Sequence, residues 1–461
     1  MVIVFIIGYL MIALEHQIHI DKAPTALFTG MVCWALYVFT GADHDIIAYG
    51  HEFAEFMANF AGGTVPEGTT MPHVGGLYHH LFDIANILFF LLGAMTIVET
   101  IDEHQGFTII TDKIKTTNKV KLLWIIALLS FVFSALLDNL TTAIVMISLL
   151  RKLVGDKETR WLFAGMVVIA ANAGGAWSVI GDVTTTMLWI GGQLPDSVLI
   201  AIPNLIIPSF IALLVPLLIL TFTMKGEAAR PEVKDDGKHA FDTTKTERII
   251  LLVMGVSGLL FVPVFKTLTH LPPFTGMMLS LGCVWAVTEL MHRKKEQDHK
   301  YHLSVISVLK KVDTSSVLFF LGILLAVAAL QEVGHLNVMA EFLTENLQNN
   351  YAINIAIGFL SSIVDNVPLV AASQGMYKPE MMDAINGVAG ASQDFIPNGS
   401  FWEFLALCAG TGGSCLIIGS AAGVAVMGLE KIDFIWYMKK ISGLAIIGYI
   451  CGAATYILFF V

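Results

Sequence analysis

Stretches of about twenty apolar residues recur along nearly the whole chain, and no other feature constrains its fold as tightly. An α-helix rises 1.5 Å per residue, so ~20 residues cross the ~30 Å hydrocarbon core of a bilayer. In hydrocarbon the backbone must satisfy its own N–H and C=O groups, which leaves helices as the available structure for such runs. They lie near residues 2–20, 24–41, 79–101, 161–190, 198–223, 249–267, 274–291, 315–333, 401–428 and 434–460. Of the 461 residues, 56% are hydrophobic and 14% charged, against about a quarter charged in a soluble domain. The fold class predicted is an all-α integral membrane protein. The first run lacks a positive n-region and a clear cleavage site, so it reads as a span rather than a signal peptide. Cys33, Cys283, Cys408, Cys415 and Cys451 lie in apolar segments without ligand spacing and read as packing residues.

Two further apolar pairs, 122–137/139–152 and 351–364/366–376, are interrupted by Asp138-Asn139 and Asp365-Asn366. Lysine and arginine decide how these pairs run. Of 26 such residues, 24 fall in segments 15–23, 102–121, 151–160, 224–248, 292–313 and 429–440, leaving Lys266 and Lys378 on the other side. Loop 42–78 has none but carries Asp43, Asp45, Glu52, Glu55 and Glu67. The positive-inside bias makes the basic segments cytoplasmic and both termini external. The net charge of −11 is therefore sorted by side and does not imply a basic partner. Arms of about 16 and 14 residues rise only ~21–24 Å, so each pair is expected to be a re-entrant hairpin with its aspartate at mid-membrane depth.

An internal repeat orders these elements. LFTGM at 27–31 parallels PFTGM at 273–277, and ILFFLLG at 87–93 parallels VLFFLG at 317–322. The Asp-Asn motifs follow, then GGAWSVIGD at 174–182 against GGSCLIIGS at 412–420. Four matches in register indicate a duplicated unit of five spans and one hairpin. An odd number of crossings makes the second copy enter from the opposite face, as in secondary transporters whose sites lie between inverted repeats. The expected division is a first repeat over 1–223, a cytoplasmic linker over 224–248 and an inverted repeat over 249–461.

The polar groups inside this apolar frame are the candidate site. Non-helical backbone at membrane depth is tolerated only inside protein or beside a wet cavity, and the stretches Asn172–Ala176 and Gly410–Ser414 are expected to break their helices there. Freed carbonyls, carboxylates, amides and hydroxyls suit a hard cation. Such groups concentrate in the first copy, which predicts a principal cation site at Asp138, Asn139, Asn172, Asp182, Thr184 and Thr185, with Na⁺ at Asp138 and Asp182. Ser361, Ser362, Asp365 and Asn366 supply a partner surface or second site. Serine and threonine in membranes also serve as simple interhelical hydrogen bonders, but an intramembrane aspartate is functional by default. Glu99, at the end of its span, is a candidate proton-pathway residue. Asp83, Glu289 and Glu403 lie near span ends and read as interfacial. His44, His51, His73, His79 and His80 are candidates for sensing pH, and a solvated external loop accounts for them equally well. Segments 44–60 and 335–348 are amphipathic enough to lie along the membrane surface.

Desolvation disfavours a charged carboxyl group, whereas a bound cation favours it. One buried aspartate can hold a proton or a sodium ion but hardly both, and that competition couples two ion flows. There is no G-x-x-x-x-G-K-[ST] phosphate loop, so ion gradients rather than a nucleotide are the expected energy source, with no cofactor and no nucleic-acid partner. A sodium-coupled anion or dicarboxylate symporter would need positive potential, which three aspartates and no nearby lysine or arginine oppose. An intramembrane protease with an aspartate dyad would need neither the matched surroundings nor the paired glycine stretches.

The runs ILFFLLGAMTIVETID at 87–102, DNLTT at 138–142, NAGGAWSVIGDVTTTMLW at 172–189 and DNVPL at 365–369 resemble NhaD-type sodium/proton antiporters of the ion-transporter superfamily. The resemblance runs from about residue 20 to the end. It implies exchange of cytoplasmic Na⁺ or Li⁺ for external protons by a homodimer in the bacterial inner membrane. It further implies a scaffold of early helices (1–101 and 249–333), transport elements (121–223 and 351–461) and elevator-like movement. Its functional positions match at Asp138, Asn139, Asn172, Asp182, Thr184, Thr185, Ser361, Asp365 and Asn366, with Glu99. The short first span departs from the pattern.

Overall fold

The computed structural model describes residues 1–13, 18, 20–39, 76–111, 113–195, 201–229, 243–293, 303–347, 349–363, 365–377 and 394–460. Segment 44–60, His44, His51, His73 and Lys378 lie outside them. The helices in chain order begin with α1 (Val2–Ala13), α2 (Lys22–Val38), α3 (Gly76–Glu103), α4 (Lys119–Leu137) and α5 (Asn139–Leu153). Next come α6 (Lys157–Ala176), α7 (Val183–Ile190), α8 (Ala201–Thr223), α9 (Lys245–Thr269) and α10 (Pro273–Met291). The second half holds α11 (Thr314–Glu332), α12 (His335–Leu347), α13 (Asn350–Ser361), α14 (Asn366–Met376), α15 (Ser400–Gly412), α16 (Ala421–Glu430) and α17 (Gly443–Phe460). Among the described residues there is no strand, only an isolated antiparallel bridge between Asn118 and Glu227.

Seven helical segments among the described residues are long and apolar enough to cross a bilayer: α3, α4, Pro203–Thr223 of α8, α9, α10, α11 and the continuous Phe434–Phe460 that ends in α17. The chain is an all-α, multi-pass membrane protein.

Two sequence expectations need correction. The first arm of the Asp138 hairpin is not short: α4 has 19 residues, about 28 Å of rise. The Asn118 side chain accepts from Lys121 N–H and starts the helix ahead of residue 122. The facing arm α5 has 15 residues, and α13 and α14 have 12 and 11. The second correction concerns the helix breaks. α6 stays helical through Asn172 to Ala176, and the chain opens only over 177–182; α15 likewise persists to Gly412 and opens over 413–420. The glycines serve close packing instead. A Cβ on Gly174 would lie 2.2 Å from the Phe131 carbonyl oxygen, and one on Gly412 would lie 2.1 Å from that of Gly358. Each glycine lets its helix press against the first arm of its hairpin.

The chain forms two compact units. One comprises described residues of Met1–Phe89, Asp313–Gln348 and Ala371–Gly387. There α2 lies between α1 and α11. Gly30 and Gly322 bring α2 and α11 backbone to backbone, and Trp34 Nε1 donates to the Leu325 carbonyl at 2.9 Å. His80 pairs with Glu332 at 2.8 Å in the same unit. The other unit holds described residues of Phe90–Val312, Asn349–Val370 and Val388–Val461. In it α4 and α5 pack on α6, α13 on α15, α5 on α16, α8 on α17 and α9 on α10. Glu403 of α15, whose place near a span end suggested an interfacial position, turns inward to protein partners. It is 3% exposed, and its carboxylate accepts from Tyr456 OH at 2.8 Å and from Asn204 Nδ2.

Candidate functional site

Four helices of the second unit begin at one place. α5 starts after Asp138, α7 after Asp182, α14 at Asn366 and α16 after Ser420. All four starts are capped by the residue before the helix. Asp138 accepts from Thr141 N–H, Asp182 from Thr184 N–H and Ser420 from Gly423 N–H. Asp365 accepts from Val367 N–H at 3.3 Å. Capping satisfies donors that a helix start would otherwise leave unpaired.

Side-chain hydrogen bonds tie these starts together. Asn139 Nδ2 donates to Asp182 Oδ2 at 2.9 Å and to Asn172 Oδ1 at 3.2 Å. Asn366 Nδ2, from the other hairpin, reaches the same Asp182 carboxylate at 3.3 Å. Asn172 Nδ2 donates to Ser414 Oγ at 3.0 Å and Ser420 Oγ at 2.8 Å. Asp182 is 2% exposed and Asn172 fully buried. Asp182 also interacts electrostatically with Asp365 and Asp138. Among the described residues no lysine or arginine is hydrogen-bonded into this network. Nor do three His, Cys, Asp or Glu side chains converge as a metal site among them.

The remaining predicted positions sit differently. Both Asp138 carboxylate oxygens are engaged by Thr141, through its N–H and its hydroxyl at 2.8 Å each. Asp138 is also held at φ 103°, ψ 161°, a conformation that costs a residue with a side chain roughly 1–3 kcal/mol. That strain turns the chain from α4 into α5 and delivers Asn139 to Asp182. The Thr185 hydroxyl donates to the Ala176 carbonyl at 3.4 Å, and Ser361 Oγ to that of Ala409 at 2.8 Å. Ser362 Oγ turns back to the Phe359 carbonyl. Glu99 joins the network by no hydrogen bond; its charged neighbours are Asp102, Glu103 and Lys311. Thr142 Oγ1, one residue past Thr141, is buried without a hydrogen-bond partner. Sequence reasoning left Ser420 out of the site, although Ser420 stands where the repeat puts the counterpart of Asp182.

Chemically, each helix start carries about half a positive charge. Against four such ends stand three carboxylates, so the site has a net charge of about −1 when all three are ionised. One cation or one proton brings it near neutrality, and an anion would add to the imbalance.

The citrate transporter family (CitMHS) matches residues 2–391. A sodium/proton antiporter 1 of Arabidopsis thaliana is 42% identical over 99% of this chain and 72% of its own length. The Na⁺/H⁺ antiporter NhaD of Vibrio parahaemolyticus is 30% identical over 78% of this chain and 86% of its own, and that of Alkalimonas amylolytica 29% over 98% and 89%. The Alcanivorax borkumensis YdaH transporter shares the fold, with a TM-score of 0.54 at 10% identity over 95% of this chain and 98% of its own. Within the citrate transporter family, the chain belongs to the NhaD-type sodium/proton antiporters.

Proposed function

We propose that this protein exchanges sodium or lithium for protons, with Asp182 as the carboxylate for which cation and proton compete. The observation that carries the reading is the setting of Asp182. It is a buried carboxylate held by amides from two hairpins, Asn139 and Asn366, with no cationic side chain among the described residues hydrogen-bonded to it. Carboxamide N–H groups stand where a cation's charge would otherwise be felt. When sodium enters, rotation of these amides turns their carbonyl oxygens toward the ion, beside Asp182 and the Asn172 carbonyl oxygen. When sodium leaves, a proton on Asp182 restores the balance. Asp138 and Asp365 set the local charge and start α5 and α14, with Thr184, Thr185 and Ser361 in supporting places.

In this reading the two copies are inverted, so the hairpin tips meet from opposite faces. The hairpins and broken helices form the transport elements, which carry the site past the scaffold helices in an elevator-type movement. A homodimer in a bacterial inner membrane, taking up external protons as cytoplasmic sodium leaves, belongs to the same proposal; the exchange of sodium for protons is what the names of the NhaD relatives support. Glu99 is proposed as a proton-pathway residue on the cytoplasmic side. The anion symporter gains nothing from the site, whose carboxylates oppose an anionic substrate.

The test is a preformed proton gradient in everted vesicles. Adding Na⁺ is expected to dissipate it with the wild type and not with Asp182→Asn. Sodium-driven citrate or succinate uptake without gradient dissipation would favour the symporter instead.

A further inference from the structure

Tyr437 is fully buried, and its hydroxyl donates to the Ser414 carbonyl at 2.9 Å. Ser414 lies in the break between α15 and α16, and its own hydroxyl accepts from Asn172. The two copies differ at this point. The repeat counterpart of the Ser414 carbonyl is that of Ala176, which receives Thr185 Oγ1 at the longer distance of 3.4 Å. An irregular stretch delivers the tyrosine. The short helix Phe434–Tyr437 is N-capped by Asp433 and runs into a π-helical turn, Met438–Ser442, before α17. A π turn inserts a residue and rotates the side chains on one side of it relative to the other, and such turns concentrate at functional sites. This one is seated on α6: a Cβ on Gly165 would lie 2.6 Å from Ile441. Gly165 is two helical turns from Asn172.

We propose that Tyr437 is a positioning residue for the cation site. Its hydroxyl fixes the second break so that the Ser414 hydroxyl holds the Asn172 amide nitrogen, leaving Asn172 Oδ1 facing Asn139 and Asp182. The inference rests on the reading that Asn172 and Asp182 belong to the cation site.

A double-mutant cycle in proteoliposomes tests it, with Tyr437→Phe, Ser414→Ala and both together, normalised to the amount of monodisperse protein. Tyr437→Phe is expected to raise the half-saturating Na⁺ concentration about three- to tenfold while the maximal rate stays within about twofold. Ser414→Ala keeps the carbonyl that Tyr437 holds but removes the hydroxyl that holds Asn172. On that background the tyrosine change is therefore expected to lose most of its effect. An unchanged half-saturation, a fall in maximal rate alone, or an equal shift on both backgrounds overturns the proposal. Asp182→Asn, run in parallel, separates the two layers. If it abolishes exchange while Tyr437→Phe is silent, only the positioning role falls; if it exchanges sodium normally, the site reading falls as well.

Discussion

The two copies of the repeated motif share a frame and differ in charge. In the first, Ser134 Oγ donates to the Ala171 carbonyl and Gly174 sits on Phe131; in the second, Ser361 Oγ donates to Ala409 and Gly412 sits on Gly358. Asp182 caps α7 at φ −146°, ψ 142°, and Ser420 caps α16 at φ −148°, ψ 154°. Every one of these pairs is a counterpart under the repeat. Within this common frame, Asn172 of the first copy is replaced by Gly410 of the second, and Asp182 by Ser420. The two motifs therefore share how a hairpin holds a broken helix, while at this cap the ionisable group stands in the first motif alone; the second keeps only Asp365, which matches Asp138. The second copy supplies neutral donors and acceptors to it: Asn366 to Asp182, Ser414 and Ser420 to Asn172.

Substitutions at paired positions can break or sharpen this contrast. The largest difference is expected between Asp182→Asn and Ser420→Ala. The first removes the charge and several charge-assisted hydrogen bonds, so Na⁺-dependent exchange should fall by at least ~100-fold. The second loses neutral hydrogen bonds and should raise half-saturating Na⁺ about two- to tenfold. Equal effects at the two sites would mean the copies share the charge chemistry. At the frame positions the copies should instead behave alike. Gly174→Ala and Gly412→Ala each place a methyl group against a backbone carbonyl, and both should lose roughly 1–3 kcal/mol or more of stability, read as yield of monodisperse protein and Tm in detergent. A loss at one glycine only would separate the frames.

Next in size are the two amides on Asp182. Asn139 donates at 2.9 Å and Asn366 at 3.3 Å. Asn139→Ala is therefore expected to weaken Na⁺ half-saturation by about tenfold or more, and Asn366→Ala by less. The reverse order would place the dominant partner in the second copy. The smallest effect concerns how the long helices start. Asp156 caps α6, whereas α15 begins at Gly399 with no side-chain cap. The Thr159 hydroxyl and N–H hold the Asp156 carboxyl below its ordinary range. A folded value below the unfolded one, ordinarily ~3.9, contributes stability above that pH and loses it as pH falls through the folded value. Asp156→Ala should thus lower Tm slightly at pH 7, a loss of about 1 kcal/mol, and the difference should shrink as the pH approaches 3.

Much of this arrangement is legible in the amino-acid sequence because hydrocarbon makes polar residues conspicuous. Asn139, Asn172, Asp182 and Asn366 stand out as groups that need partners, and in the structure they partner one another. Ser420 does not stand out, since an intramembrane serine is most often an ordinary helix–helix hydrogen bonder; only its place in the repeat marks it. The glycines misled for a related reason. Glycine permits both an opened chain and a close helix contact, and the sequence cannot say which until Phe131 and Gly358 are seen against Gly174 and Gly412. Glu403 shows the same limit in another form. Nearness to a span end fixes depth but not direction, so its inward turn to Asn204 and Tyr456 was not readable. Asp138 carries a backbone strain that no composition reveals.

The central claim is that sodium and a proton exclude one another at Asp182. Purified protein in weakly buffered detergent solution, titrated with NaCl while pH is recorded, tests it most directly. The account predicts that sodium releases protons from the wild type and that the release disappears in Asp182→Asn. Sodium binding without proton release, or equal release from the two proteins, would contradict it.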